Sequence, residues 1–287
     1  MTHPAYDLFL PDVPSSPLVF ASPHSGREYP AAFLAASVLD EHVIRSSEDA
    51  FVDLLFADAP RAGAPLLVAR APRAYVDLNR AIDELDPAVV DQAPRAPMNP
   101  RIGAGLGVIP RVVANGRAIY RGKITLAAAR ARLDAVWVPY HARLQALLRE
   151  AQARHGAAIL IDCHSMPHEA IDGYWHAGRA RPEVVLGDRF GAAAAPEVMA
   201  RVEAAFVAEG LRVARNAPFA GAYIAQAYGQ PARGQHVVQV EIDRALYMDE
   251  AAIRPGPGFD LVRRMLARVI DRLADDPGRA TLPLAAE

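Results

Sequence analysis

Two histidines stand at the ends of apolar runs of strand length. His24, in Ser22-Pro23-His24-Ser25-Gly26, follows LVFAS, and His164, in Asp162-Cys163-His164-Ser165, follows AAILI. Open α/β sheets bind ligands beyond the carboxyl ends of their strands, and imidazole is the commonest metal ligand. Both positions therefore suit chemistry, although a histidine that only hydrogen-bonds turn backbone would look the same. A catalytic zinc site takes three protein ligands and leaves a fourth position to water, so two imidazoles call for one carboxylate. Glu48, Asp49 and Asp53 offer three. If Ser47 caps a helix here, acids in the first turn are also favoured by the helix dipole, and Asp53 shares a face with Asp49. Asp162 is close enough to orient the His164 ring from behind.

Two further segments carry polar groups at strand ends. Arg73-Ala74-Tyr75-Val76-Asp77-Leu78-Asn79-Arg80 presents a carboxamide and a guanidinium in succession, a pair suited to gripping a carboxylate. In Gln239-Val240-Glu241-Ile242-Asp243-Arg244, Glu241 interrupts an apolar strand, where a carboxylate needs a partner or a function. Burial there would lift it towards the general-base range; a structural ion pair with Arg244 is the alternative. Cys163 alternates away from His164, as a packing residue would.

These residues need a sheet with helices around it. Apolar runs at Leu18–Ser22, Leu66–Ala69, Ala74–Leu78, Ala158–Cys163, Val184–Leu186 and Val237–Ile242 alternate with helical stretches, which is the α/β signature. Helices are expected over Glu48–Ala59, over Leu126–Arg154 with an interruption near Pro139, over Glu197–Glu209 and over Phe259–Asp275. Thr125 suits an N-cap, Gly156 a stop, and Ala192–Ala195 the start of a helix. Residues 81–121, rich in Pro and Gly, have no sustained period and read as a long excursion, more suited to a lid than to a linker. The tail from 278 is expected to be peripheral, so 1–287 reads as a single domain.

Composition narrows the function classes. Of 287 residues 52% are hydrophobic, and 31 Lys+Arg against 33 Asp+Glu leave a net charge of -2, which argues against a disordered chain or a basic nucleic-acid binder. The lone Cys163 rules out an internal disulfide and a Cys-rich zinc site. No apolar run approaches the ~18 residues of a membrane span, and the opening MTHPAYDLFLPD lacks the regions of a signal peptide. The cytoplasm is the expected compartment, no membrane or nucleic-acid partner is expected, and a monomer and a homo-oligomer both stay open.

Taken in order, SPHSG, EDAFVD, YVDLNR, DCHS, GAYIAQAYG and VQVEIDRALYMDE resemble the N-formylglutamate amidohydrolase family from about Leu18 to Glu250. YVDLNR is also similar to the substrate-carboxylate motif of aspartoacylases and other zinc carboxypeptidase-like hydrolases. The resemblance implies a phosphorylase/hydrolase-like three-layer αβα sandwich with a mixed, mainly parallel sheet. It implies one Zn2+ per chain, or another divalent transition metal, and hydrolysis of a small-molecule N-acyl amino acid. Carried over by position, it makes His24, Asp49 and His164 the metal ligands, with Asp49 favoured over the adjacent Glu48. Glu241 becomes the residue that handles water and proton, and Arg73 a stabiliser of an oxyanion or of a second carboxylate. Asn79 and Arg80 fall where related enzymes grip a substrate carboxylate; Tyr223 and Arg121 are expected as further substrate contacts without a positional carry-over.

The chain departs from the family at Asn216–Tyr223, where Pro218 and Ala220 stand in place of basic residues that glutamate-processing members tend to carry. Arg101, Arg111 and Arg121 of the excursion are candidates to replace that lost cation, and His168 and His176 to line the pocket. Two other function classes are weighed against the metal hydrolase. A hydrolase with a Cys163 or serine nucleophile would ignore chelators; a non-catalytic carboxylate-binding protein would keep Asn79 and Arg80 without an active metal.

Overall fold

Seven strands form one sheet in a computed structural model that describes residues 4–94, 99–173 and 181–275. His176 and the tail from 278 lie outside these residues. The strands are β1 (Tyr6–Phe9), β2 (Leu18–Ser22), β3 (Leu66–Ala69), β4 (Ala158–Met166), β5 (Val184–Gly187), β6 (Val213–Arg215) and β7 (Gln235–Asp243), in the spatial order β1-β3-β2-β4-β7-β5-β6. The pairs β3/β2, β2/β4 and β4/β7 are parallel; β1 and β5 join them antiparallel, and β6 runs with β5. The expected mixed, mainly parallel αβα sandwich is therefore present.

Strand alternation builds a core on each face. Leu18, Phe20, Leu66, Ile159, Ile161, Val238 and Val240 pack with the Pro196–Val207 and Phe259–Ala274 helices. Val19, Ala21, Leu67, Leu160 and Val237 pack with Tyr140, Leu144 and Leu148 of the Val138–His155 helix. With both faces covered, the strands carry continuous apolar runs rather than an apolar–polar alternation. The central parallel strands end on one edge, where β4 and β7 set His164 opposite Glu241 in register. Among the described residues no helix is long and apolar enough to cross a membrane.

Three expectations about elements are corrected. Ala74–Leu78 is not a strand: Pro72 starts a turn in which Tyr75 N–H donates to the Pro72 carbonyl (2.9 Å), and Asp77 N–H goes to Val108. Val76 and Leu78 are buried by packing rather than by pairing, so their apolar character misleads. The Glu48–Ala59 helix shrinks to Val52–Leu55, preceded by a 3-10 turn at Val43–Ser47. Glu48 is extended and Phe51 is left-handed (φ 68), which brings Asp49 N–H to the His24 carbonyl at 3.0 Å. Ser47 thus caps nothing, and Glu48 and Asp49 are not first-turn acids. Ala192–Ala195 precedes its helix, which starts at Pro196.

The long helix does break near Pro139. It runs as Leu126–Arg132, a π turn at Leu133–Trp137 and Val138–His155, the wide turn accommodating a proline that has no N–H to donate. Thr125 accepts from Ala128 N–H at 3.1 Å and Gly156 ends the helix at φ 76, as expected. Inside it, His141 is held neutral between the Tyr228 hydroxyl (2.8 Å) and the Leu78 carbonyl (2.9 Å), and burial lowers its pKa to about 4. Its folded pKa lies below the unfolded 6.5, so the unfolded chain binds the extra proton. The stability this neutral ring confers is complete above 6.5 and is lost as pH falls towards 4. Between pH 7 and 4.5 it should cost about 2–3 kcal/mol. Denaturant unfolding at both pH values, with His141→Gln lacking that increment, checks it.

Candidate active site

The β2 end turns sharply, and Gly26 permits it: a side chain there would collide with the Ala71 carbonyl. The turn carries His24 under the β4 edge, its ring centroid 4.8 Å from that of His164. Asp49 reaches the same point from the extended segment before Val52–Leu55. His24, Asp49 and His164 are all buried, and each offers one ligand atom within 4.8 Å of the others. Asp49 Oδ2 lies 2.9 Å from His164 Nδ1 and 3.4 Å from His24 Nδ1.

This donor set fits a divalent metal. His24 Nε2 lies 2.7 Å from Asp77 Oδ1, a contact that fixes the proton on Nε2, and the buried Nδ1 has no hydrogen-bond partner. An orphaned imidazole nitrogen facing a carboxylate is the arrangement a metal ligand needs. Behind His164, Asp162 Oδ2 lies 3.1 Å from Nε2. Burial alone would lower the His164 pKa, but the charge and close contact of Asp162, the hydrogen bond to Asp49 and the charge of Glu241 outweigh it and hold it well above the ordinary value. Burial would likewise raise Asp49, yet the hydrogen bond from His164 and the close charges of His24 and His164 hold it well below the ordinary carboxyl value.

The neighbouring acids are otherwise engaged. Glu48 accepts from Arg45 Nε (3.0 Å) and Tyr29 (2.7 Å), and Asp53 pairs with Arg27 at 3.0 Å. Arg244, offered above as a partner for Glu241, instead donates to Asp49 Oδ1 (3.0 Å) and Ser165 Oγ (3.1 Å). Glu241 is buried on the strand beside His164. Burial pushes its pKa up to about 7, with Asp49 adding to the rise and His164, Arg73 and Arg244 opposing it. A carboxyl at this value can take and return a proton near neutrality.

The triad and Glu241 line a cavity of about 520 Å³ together with Arg73, Asn79 and Arg80. Arg73 Nε donates to Asp77 Oδ2 at 3.1 Å. Arg80 is buried, donates to the carbonyls of Leu106 (2.8 Å) and Asn79 (2.7 Å), and has no ion pair among the described residues. Asp77 and Glu84 lie within reach of its charge, but a buried guanidinium on a cavity wall with no direct ion pair still suits an anionic ligand. The excursion closes the far wall through Arg101, Leu106, Pro110 and Val112–Gly116. Arg101 thus reaches the cavity, Arg111 pairs with Asp86 (2.9 Å), and Arg121 is exposed away from it. Tyr223 packs against Trp137 and His141 rather than lining the cavity, and His168 pairs with Asp243 at 2.8 Å. Cys163 faces the opposite core, where burial raises its thiol pKa, against a nucleophilic role.

In the sequence Asp77 and Gln239 had no assigned part, and Arg244 stood only as an alternative ion-pair partner of Glu241. For Gln239 a signal existed: it lies two residues before Glu241, so on the same face of an apolar strand. Asp77 and Arg244 carried none for their roles at the triad, since Asp77 reaches His24 and Arg244 reaches Asp49 across distant positions in the sequence.

Residues 16–248 match the profile of the family described as N-formylglutamate amidohydrolase. An N-formylglutamate deformylase of Pseudomonas aeruginosa is 34% identical over 243 residues, 82% of this chain and 84% of that protein. One of Pseudomonas putida is 29% identical over 241 residues, 82% of each. The crystal structure of an N-formylglutamate amidohydrolase from Ralstonia eutropha JMP134 superposes with a TM-score of 0.87 at 36% identity, covering 94% of this chain and 96% of that one. A match across most of the chain, the shared fold and the buried His/Asp/His cluster agree: this chain belongs to the N-formylglutamate amidohydrolase family.

Proposed function

We propose that the protein is a metal-dependent amidohydrolase that removes the formyl group from N-formylglutamate or a closely related N-acyl amino acid. One observation carries the reading: three ligand atoms from His24, Asp49 and His164 lie within 4.8 Å of one another on the cavity that also holds Glu241 and Arg80. Two imidazoles and a carboxylate suit zinc, and to a lesser degree other first-row divalent ions. His24, Asp49 and His164 would hold such an ion, which would supply polarisation of the amide carbonyl and a water acidic enough to attack near pH 7.

The chain's own groups do the rest. Arg80 binds the substrate α-carboxylate, which fixes the scissile amide relative to Glu241. Glu241 takes a proton from the attacking water and passes it to the departing nitrogen, so that the C–N bond breaks to formate and a free amine. Arg73, held by Asp77, donates to the tetrahedral oxygen. Arg101, on the excursion wall, is the cation positioned to take a side-chain carboxylate in place of those missing near Pro218 and Ala220.

Formate release from N-formyl-L-glutamate, its α-amide and other N-formyl amino acids tests the reading. The α-amide should be a poor substrate. Arg80→Lys should raise KM by about 10- to 100-fold with little change in kcat, the range for a lost charge-assisted contact. Equal turnover of acid and α-amide would reject the assignment of Arg80.

A further inference from the structure

Gln239 is buried on β7, two residues before Glu241 on the same face, and every polar group of its amide is engaged. Its Oε1 accepts from Ala222 N–H (3.1 Å) and from Asn79 Nδ2 (3.4 Å), and its Nε2 donates to Glu241 Oε1 at 2.8 Å. The Asn79 amide is oriented in turn by Ile224 N–H, which donates to its Oδ1 at 2.8 Å. Backbone N–H groups only donate. The two of them therefore dictate which end of each carboxamide is oxygen, and the Gln239 end facing Glu241 must be the nitrogen.

We infer that Gln239 is a positioning residue for the reaction: it holds Glu241 Oε1 by a fixed N–H and leaves Oε2 as the oxygen that exchanges protons with water and substrate. The inference rests on Glu241 acting as the proton carrier. Because Oε1 already accepts from Gln239, a proton taken up by Glu241 resides on Oε2, from which it can be returned. The Oε1 contact to Ala222 ties this orientation to Gly221–Ala222, which lines the cavity where substrate sits.

The test is a double-mutant cycle on zinc-loaded protein with N-formyl-L-glutamate: Gln239→Leu, Gln239→Met, Glu241→Gln and the combined variants. Bound zinc and the thermal transition are measured for each. Both Gln239 variants should bind zinc as the parent does and lose about 10- to 100-fold in kcat, the loss expected for a hydrogen bond to a charged group, with KM little changed. In the Glu241→Gln background, adding Gln239→Leu should lower the residual kcat no further, because both changes act through one carboxylate. Parental kcat in folded Gln239→Leu or Gln239→Met would overturn the inference. So would losses that multiply in the combined variants, or an effect confined to KM. Should Leu fail to fold, the unbranched Met variant decides. Full turnover by Glu241→Gln alone would reject the proton-carrier role itself, an outcome separate from any Gln239 result.

Discussion

Glu241→Gln should lower kcat by about 10²–10⁴-fold while leaving bound metal and KM close to those of the parent, the loss expected when a positioned proton carrier is removed. The substitution is nearly isosteric, and its amide oxygen can still accept from Gln239 Nε2, now 2.8 Å from the carboxylate. It removes proton exchange without opening a cavity. The acid limb of kcat/KM should vanish with it. In the parent that limb reports Glu241 losing its base form as pH falls, and it should lie at or below about 7, since a bound cation would add to the positive charges that already oppose burial. A Gln variant with parental turnover and an unchanged acid limb would assign the proton to another group.

Metal removal should be at least as severe. Exhaustive chelation is expected to reduce turnover on the order of 10³-fold or more, with recovery on adding one equivalent of Zn2+, because polarisation of the carbonyl and of water would both be lost. Asp49→Ala should abolish tight metal binding and also destabilise the fold by about 3 kcal/mol, since the buried Arg244 loses the carboxylate it now donates to and keeps only Ser165 Oγ and a 4.0 Å contact with Glu250. Asp49→Asn, which preserves volume and an acceptor, should weaken metal binding with a smaller cost in stability. Metal titration and denaturant unfolding separate the two effects. Chelator-resistant turnover would favour a nucleophile mechanism instead.

Much of the architecture was legible because buried strands announce themselves. LVFAS, LLVA, AILI and VVQV are apolar runs too short for helices, and each became a strand of the sheet. The edge strands Tyr6–Phe9 and Val213–Arg215 were not, being short and only partly buried. Two segments misled for one reason: tertiary contacts outweighed local preference. Ala74–Leu78 has the composition of a strand, but its backbone is committed to the Pro72 turn and to Val108. Glu48–Ala59 has the composition of a helix, but Asp49 is drawn towards His24, which requires extended and left-handed backbone.

The same division runs through the site. His24 and His164 could be singled out because strand ends are where chemistry gathers in such sheets. The choice of Asp49 over Glu48 was not available from spacing alone; it follows from the Arg45 and Tyr29 partners that hold Glu48 elsewhere. Nor could sequence reveal that Asp77 fixes the His24 tautomer across 53 positions, or that Arg244 reaches Asp49 across 195. Arg121 and Arg101 look equivalent as text, and only the path of the excursion sets one on the cavity and the other in solvent.

X-ray diffraction from crystals of the zinc-loaded protein, recorded on either side of the zinc absorption edge, would locate the metal. One anomalous peak per chain is expected, bonded to His24 Nδ1, to an imidazole nitrogen of His164 and to the Asp49 carboxylate. A peak elsewhere in the molecule, or none at full activity, would contradict this assignment.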